Sequence, residues 1–271
     1  MRELFIAIIT IHNDHTVKLF DSWVLTTLIF VALLGHAMAC FWYVALVRHW
    51  SICKRTIYDL PIDREQIRRE IKNSVHTPIH AVLLAACVYL GWFPAVGWLS
   101  FLYSLAATVV WAEIWHYGSH RAFHLKPLHW IHAEHHRSHL NTPFTAISFA
   151  FAEKLIFDFG ILGGMALLNL LVPVNFFGVA AWFIIYLIVN SFSHANFELK
   201  SAGYNAVLGK VFTSTTYHSL HHSRYTGNYG LGTRFLDRWF NTEWEDYERL
   251  YDRVNRDRQP LKKLAEKVNV P

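Results

Sequence analysis

Charge is scarce in this chain of 271 residues: Asp, Glu, Lys and Arg make up 17%, where an ordinary soluble domain holds about a quarter. Hydrophobic residues reach 53% and aromatics 16%, so the composition leans towards a membrane protein. Cysteine is scarcer still. Cys40, Cys53 and Cys87 form no CxxC pair, which excludes a disulfide framework and a thiolate zinc site. No Pro/Gly/Ser-rich linker interrupts the chain, so a single domain over 1–271 is expected. There is no GxGxxG and no haem signature, so electrons for any redox chemistry must come from another protein. The formal charge is +5, but Lys and Arg form no stripe with interleaved aromatics. Nucleic acid is therefore excluded as a partner, and the charge reads as juxtamembrane. The apolar stretch Leu4 to Ile11 is too short to span and has no small-residue cleavage site. It reads as an interfacial segment, not as a signal peptide.

Long apolar runs are present. A bilayer core takes roughly 20 helical residues to cross, and 23–47 meets that length with no Lys, Arg, Asp or Glu. Two hairpins follow, 78–93 with 95–112 and 155–174 with 176–193. Gly91, Pro94 and Gly97 mark the first turn, with Trp92 and Trp98 at interface depth; Pro173 and Asn175 mark the second. Gly160 and Gly164 make a small-xxx-small face suited to close helix packing. The expected fold is all-α: an integral membrane bundle of about five spans with a cytoplasmic, histidine-rich helical cap. Segment 48–75 holds Arg48, Lys54, Arg55, Arg64, Arg68, Arg69 and Lys72, while neither hairpin turn holds a basic residue. The positive-inside rule puts that segment in the cytoplasm, and with it 113–154 and 194–243. The tail beyond Asn241 alternates acid and base and reads as a solvated helix near a lipid surface.

Histidine is abundant and uneven. Of 18 histidines, 12 lie between His116 and His222, within or beside the two segments that the charge count had already made cytoplasmic. His116, His120 and His124 recur every four residues and form one helical stripe, which Glu113 extends. In HWIHAEHH, His132, His135 and His136 sit at i, i+3 and i+4, with His129 a turn earlier. HSLHH repeats that spacing with His218, His221 and His222. Isolated histidines, His12, His15, His36, His49, His76 and His80, read as structural. Clustered imidazoles repel when protonated and bind metal when neutral. Eight or nine are too many for one ion, so two metals are implied, about 3.5–4 Å apart or somewhat further. Two other classes compete with an oxidoreductase. A histidine-lined metal transporter would place its ionisable residues near the bilayer midplane, where only His36 and His80 lie. A membrane metallohydrolase would use HExxH, which is absent, although Glu134 lies inside HAEHH.

These residues resemble the fatty acid hydroxylase / sterol desaturase superfamily of membrane di-iron enzymes. WHYGSHRAFH and HWIHAEHH are similar to its HRxxH and HxxHH boxes. YHSLHHSRYTGNYGLGTRFLDRWFNT is similar to its last HxxHH box and the NYG…WD segment that follows, and VNSFSHAN to the Asn-x-x-x-His element of related acyl desaturases. The likeness covers roughly 111–243. It implies His120, His124, His132, His135, His136, His194, His218, His221 and His222 as ligands of two iron ions. It implies that Asn190 holds a metal-bound water or supports a ligand, and leaves His116, His129 and Glu113 as supporting partners. Zinc is an expected substitute on overexpression, because it outranks Fe(II) in intrinsic affinity. The implied activity is hydroxylation or desaturation of a lipid with O2. The substrate would be a sterol or a fatty-chain lipid, with NTPF (141–144) and the NYG segment favouring a sterol. Cytochrome b5, a ferredoxin or a reductase would donate electrons. The site would face the cytoplasm, at the endoplasmic reticulum or a bacterial inner membrane.

Topology is directly testable. Reporters fused after Trp50, Leu140 and Pro271 should all read cytoplasmic, and reporters at the N-terminus and at Pro94 the opposite side. An outside reading at Leu140 would separate the first two histidine boxes from the cytoplasm and overturn the arrangement.

Overall fold

The computed structural model describes residues 22–48 and 50–268, and among them no strand occurs. The helices are α1 (Ser22–Val47), α2 (Arg64–Ser74), α3 (Ile79–Tyr89), α4 (Trp98–Phe123), α5 (His129–His136), α6 (Phe151–Asn169), α7 (Phe176–Ser193), α8 (Thr215–Arg224), α9 (Phe235–Trp239) and α10 (Tyr247–Asn255). All five apolar runs are helical. By length and composition, α4 and α7 are suited to crossing a membrane. The 11 residues of α3 rise only about 16 Å, about half of a bilayer core. The stretch Leu4–Ile11 and His12, His15 and His49 lie outside the described residues.

The chain forms two compact units. One comprises the described residues up to Leu34 with His76–Ala112 and Lys154–Leu187. Its hairpin turns pair, with Ala95 N donating to Val174 O at 3.0 Å and Phe176 N to Phe93 O at 3.2 Å. Asn175 organises the junction: its Oδ1 accepts from Phe177 N (2.9 Å), capping α7, and its Nδ2 donates to Ser100 Oγ (3.0 Å). Gly91 and Gly97 take φ of +70° and +100° at the first turn, where an L side chain would be strained. The small-residue face of α6 is filled by one side chain. The Trp111 indole nitrogen donates to Gly160 O at 2.8 Å and lies where a Cβ on Gly164 would fall. Inside this unit His80 Nδ1 meets Asp158 Oδ2 at 2.6 Å, and Lys154 Nζ donates to Thr77 Oγ1 at 2.8 Å. His80, expected to be structural, is a buried hydrogen-bond partner of the Asp158 carboxylate.

The second unit comprises Gly35–Val75, Glu113–Glu153 and the chain from Ile188 on. Its core joins Ile57, Tyr58, Leu140, Tyr217 and Leu220 to Tyr247, Leu250, Tyr251, Val254 and Leu261. The expected solvated tail is thus corrected: α10 buries one whole face. Tyr247, Leu250, Tyr251 and Val254 recur at i, i+3, i+4 and i+7, an apolar stripe that the intervening charges obscure in the sequence. Arg224 and Asp246 fasten α8 to the start of α10 through paired bonds of 2.6 and 2.8 Å. His36 is also anchored here, its Nε2 lying 3.1 Å from Ser74 O.

Gly178 provides the sharpest test of the packing. A Cβ there would lie 2.7 Å from the backbone oxygen of Phe101, and backbone cannot rotate away. Gly178→Ala should cost about 1–3 kcal/mol and lower the melting temperature of the detergent-solubilised protein. Gly163→Ala, where nothing lies within 4 Å, should leave it unchanged.

Candidate metal centre

The end of α4, all of α5 and the middle of α8 carry the histidine clusters, and His194 follows directly after α7. All nine expected ligands lie in the second unit and converge there into two groups. His120, His124, His132, His136 and His221 form one; His135, His194, His218 and His222 form the other. Within each group one nitrogen per ring lies within 4.8 Å of the others. The groups do not follow the boxes. In α5, His132 and His136 share a group while His135 joins the other; in α8, His218 and His222 share a group while His221 crosses. Residues four apart project to one side and the i+3 residue is rotated away, so each HxxHH spacing serves both groups.

A neutral imidazole has a single N–H, and its position is set here. Nδ1 of His120 faces Tyr229 O at 2.7 Å, that of His135 Ser148 O at 3.0 Å, and that of His194 Asn190 O at 2.9 Å. His221 and His222 do likewise with Gly227 O (2.8 Å) and Ser138 O (3.0 Å). A carbonyl only accepts, so Nδ1 carries the proton in all five and Nε2 presents a lone pair. His132 Nδ1 is held instead by Glu153 Oε1 at 2.5 Å. The inner nitrogens confirm this polarity. Nε2 of His120, His132 and His222 has no hydrogen-bond partner although buried. Nε2 of His135 and His194 face each other at 3.3 Å, two lone pairs with no proton between them. A cation relieves that repulsion, and the donor set is the one that transition metals take. These residues therefore fit two metal ions.

Buried carboxylates hold the acceptors in place. Glu70 accepts from Ser138 Oγ (2.6 Å), Thr145 Oγ1 (2.8 Å), Gln66 Nε2 (2.8 Å) and Thr142 Oγ1. It thereby fixes the segment whose Ser138 and Ser148 carbonyls orient His222 and His135. Asp237 accepts from Tyr229 N (2.9 Å), Gly230 N (2.7 Å), Tyr217 Oη (2.9 Å) and Thr242 Oγ1 (2.6 Å), so it sets the carbonyl that orients His120. Burial raises both carboxyl groups above their usual range. Neither residue, nor Glu153, stood out in the sequence, since an acid among helices carries no spacing signal.

Of the expected supporting residues, Asn190 gives its Nδ2 to Ala146 O and its own carbonyl to His194. Glu113 anchors Thr233 through its N (2.9 Å) and Oγ1 (2.8 Å). His116 stacks edge-on to His120, ring centroids 5.0 Å apart, but joins neither group. His129 bonds the hydroxyl of Tyr225, a residue missed in the sequence, whose ring packs 4.8 Å from that of His136.

The fatty acid hydroxylase family pattern matches residues 105–242 of the chain. The methylsterol monooxygenase erg25B of Aspergillus fumigatus is 31% identical over 156 residues, which cover 56% of this chain and 51% of that protein. The very-long-chain aldehyde decarbonylase CER1 of Arabidopsis thaliana is 30% identical over 226 residues, 78% of this chain and 35% of that protein. The very-long-chain aldehyde decarbonylase GL1-4 of Oryza sativa subsp. indica is 30% identical over 148 residues, 52% of this chain and 23% of that protein. The chain thus spans about half the length of the first relative and about a third or less of the others. No solved structure matches it.

Desolvation, and then the neighbouring imidazoles, push His132, His136, His218, His221 and His222 well below the usual histidine range. Burial takes His124 down to about 2 and His194 to about 4. In the unfolded chain these groups titrate at about 6.5. The folded state therefore binds fewer protons, and its stability is complete above about 6.5 and lost as pH falls below it. Metal-stripped protein should melt at progressively lower temperature from pH 7 towards pH about 4, as read by tryptophan fluorescence. A melting temperature independent of pH over that window would contradict the buried, neutral cluster.

Proposed function

Because the chain belongs to the fatty acid hydroxylase family, we propose that it is a membrane-bound non-haem oxygenase that uses O2 and two irons to hydroxylate or desaturate a lipid. The observation that carries this reading is the pair of histidine groups, six of whose nine rings have the Nδ1 proton turned outward to a fixed acceptor and Nε2 turned in. When bound, the irons would supply reductive activation of O2 and removal of hydrogen from an unactivated C–H bond.

The chain's own residues perform the rest. Nine imidazoles would hold the two ions, five on one and four on the other. Glu153, drawing on the His132 proton, makes that ring a stronger donor. The carbonyls of Tyr229, Ser148, Asn190, Gly227 and Ser138 keep five more rings in one tautomer. Burial of the inner nitrogens keeps water from competing. Supporting the lipid assignment, relatives are named for a methylsterol and for very-long-chain aldehydes, so a sterol or a long hydrocarbon chain is the substrate class. Electrons would come from a separate cytochrome b5, ferredoxin or reductase docking on the basic cytoplasmic face. Five spans with the N-terminus outside would carry the bundle, α4 and α7 being the two that, among the described residues, meet the length and apolarity for crossing.

His135 and His221 belong to different groups, so each tests one metal. Either His→Ala change should lower the content from about two metals per chain and abolish conversion of lipid to a product with one oxygen more or two hydrogens fewer. Asn190→Ala should retain more metal yet lose roughly 10–100-fold in affinity or activity. Undiminished metal and turnover in His135→Ala or His221→Ala would overturn the assignment. Zinc in protein from overexpressing cells would not.

A further inference from the structure

The second unit displays a set of large apolar side chains that packing within the chain leaves about half or more exposed. Leu208, Val211, Phe212, Phe235, Trp239 and Phe240 are each 46–69% exposed. They come from two segments bonded side by side. Thr213 N donates to Gly232 O at 3.0 Å and Arg234 N to Val211 O at 2.8 Å. The Arg238 guanidinium donates to Lys210 O at 2.6 Å, and the rings of Phe235 and Trp239 lie 5.5 Å apart. The residues thus make one patch, and a contiguous apolar patch of this kind marks an interaction surface.

Its surroundings point to one occupant. Lys210 and Arg238 edge the apolar groups, their partly exposed heads paired with Glu248 at 3.2 Å and Glu243 at 3.3 Å. Arg121 adds a further cation over the Phe240 ring at 5.5 Å, so basic groups outnumber the two carboxylates. Aromatic and aliphatic side chains edged with Lys and Arg are what the headgroup–acyl boundary of an anionic leaflet accommodates. The patch is also fastened to α4, a helix long and apolar enough to cross a membrane. Tyr117 of α4 stacks on Phe240 with centroids 5.6 Å apart and 15° between planes, and Glu113 of α4 holds Thr233.

We propose that the surface formed by 207–212 and 235–240 inserts into the near leaflet of the membrane as an interfacial docking patch, in addition to the spans. This rests on the membrane reading of α4, and the experiment separates the two. In full-length protein with the exposed Cys40 replaced (Cys40→Ser), Leu208→Cys, Trp239→Cys and, as a control, Lys263→Cys would each carry an NBD fluorophore in nanodiscs containing anionic lipid. Unchanged metal content verifies folding. Lipids spin-labelled near the headgroup end of the acyl chain should quench positions 208 and 239 about twofold or more beyond position 263, and aqueous iodide should show the reverse order. Equal iodide access at all three positions would overturn the patch while leaving the spans intact. So would protection that persists in lipid-free detergent together with a disulfide linking two unlabelled copies of the Trp239→Cys chain. Release of the whole chain from membranes by alkaline carbonate would overturn the membrane reading and the patch together.

Discussion

The structure depends on a simple rule of imidazole chemistry: a neutral ring has one N–H, and giving it to a fixed acceptor decides what the other nitrogen does. Five backbone carbonyls and one carboxylate take the Nδ1 protons of His120, His135, His194, His221, His222 and His132. The Nε2 atoms are left as lone pairs pointing at one another in a buried space. Unmet polar atoms of this kind each cost on the order of 1–3 kcal/mol, so apolar packing alone would not assemble them. The arrangement makes sense as a preformed receptacle for cations.

That rule makes irregular backbone more important than the helices themselves. The carbonyls of Ser138 and Ser148 and those of Gly227 and Tyr229 lie between helices, where no helical hydrogen-bond ladder fixes their direction. Two buried carboxylates supply the missing rigidity, Glu70 for the first segment and Asp237 for the second. Each gathers four donors, which offsets part of the cost of burying a charge. The α10 helix then closes the unit, laying Tyr247 and Tyr251 against the α8 side of the core. Glu113 plays the same part at the NYG segment, tying Thr233 to α4.

The other unit is built on a different principle. Its helices approach closely because glycine leaves room, Gly164 for an indole and Gly178 for the backbone of a neighbouring helix. Its few polar groups satisfy one another, as His80 does with Asp158 and Lys154 with Thr77. Among its described residues nothing offers an inward set of lone pairs, which is why the nine histidines all belong to the second unit.

The helical class, the apolar runs, the family resemblance and the identity of all nine clustered histidines were legible from the residues alone, because helical periodicity and composition are local properties. The i, i+3, i+4 spacing already placed three rings on one side of α5 and of α8. That each such trio is shared between two groups emerged with folding, since the sharing depends on how α4, α5 and α8 are rotated about their axes. Folding also settled the roles of Glu70, Glu153 and Asp237, whose partners are 4 to 75 residues away in the chain. The buried face of α10 was written in its apolar stripe but masked by alternating charge. The tautomers were out of the sequence's reach altogether: the acceptors are backbone carbonyls, which every residue possesses and only folding aims.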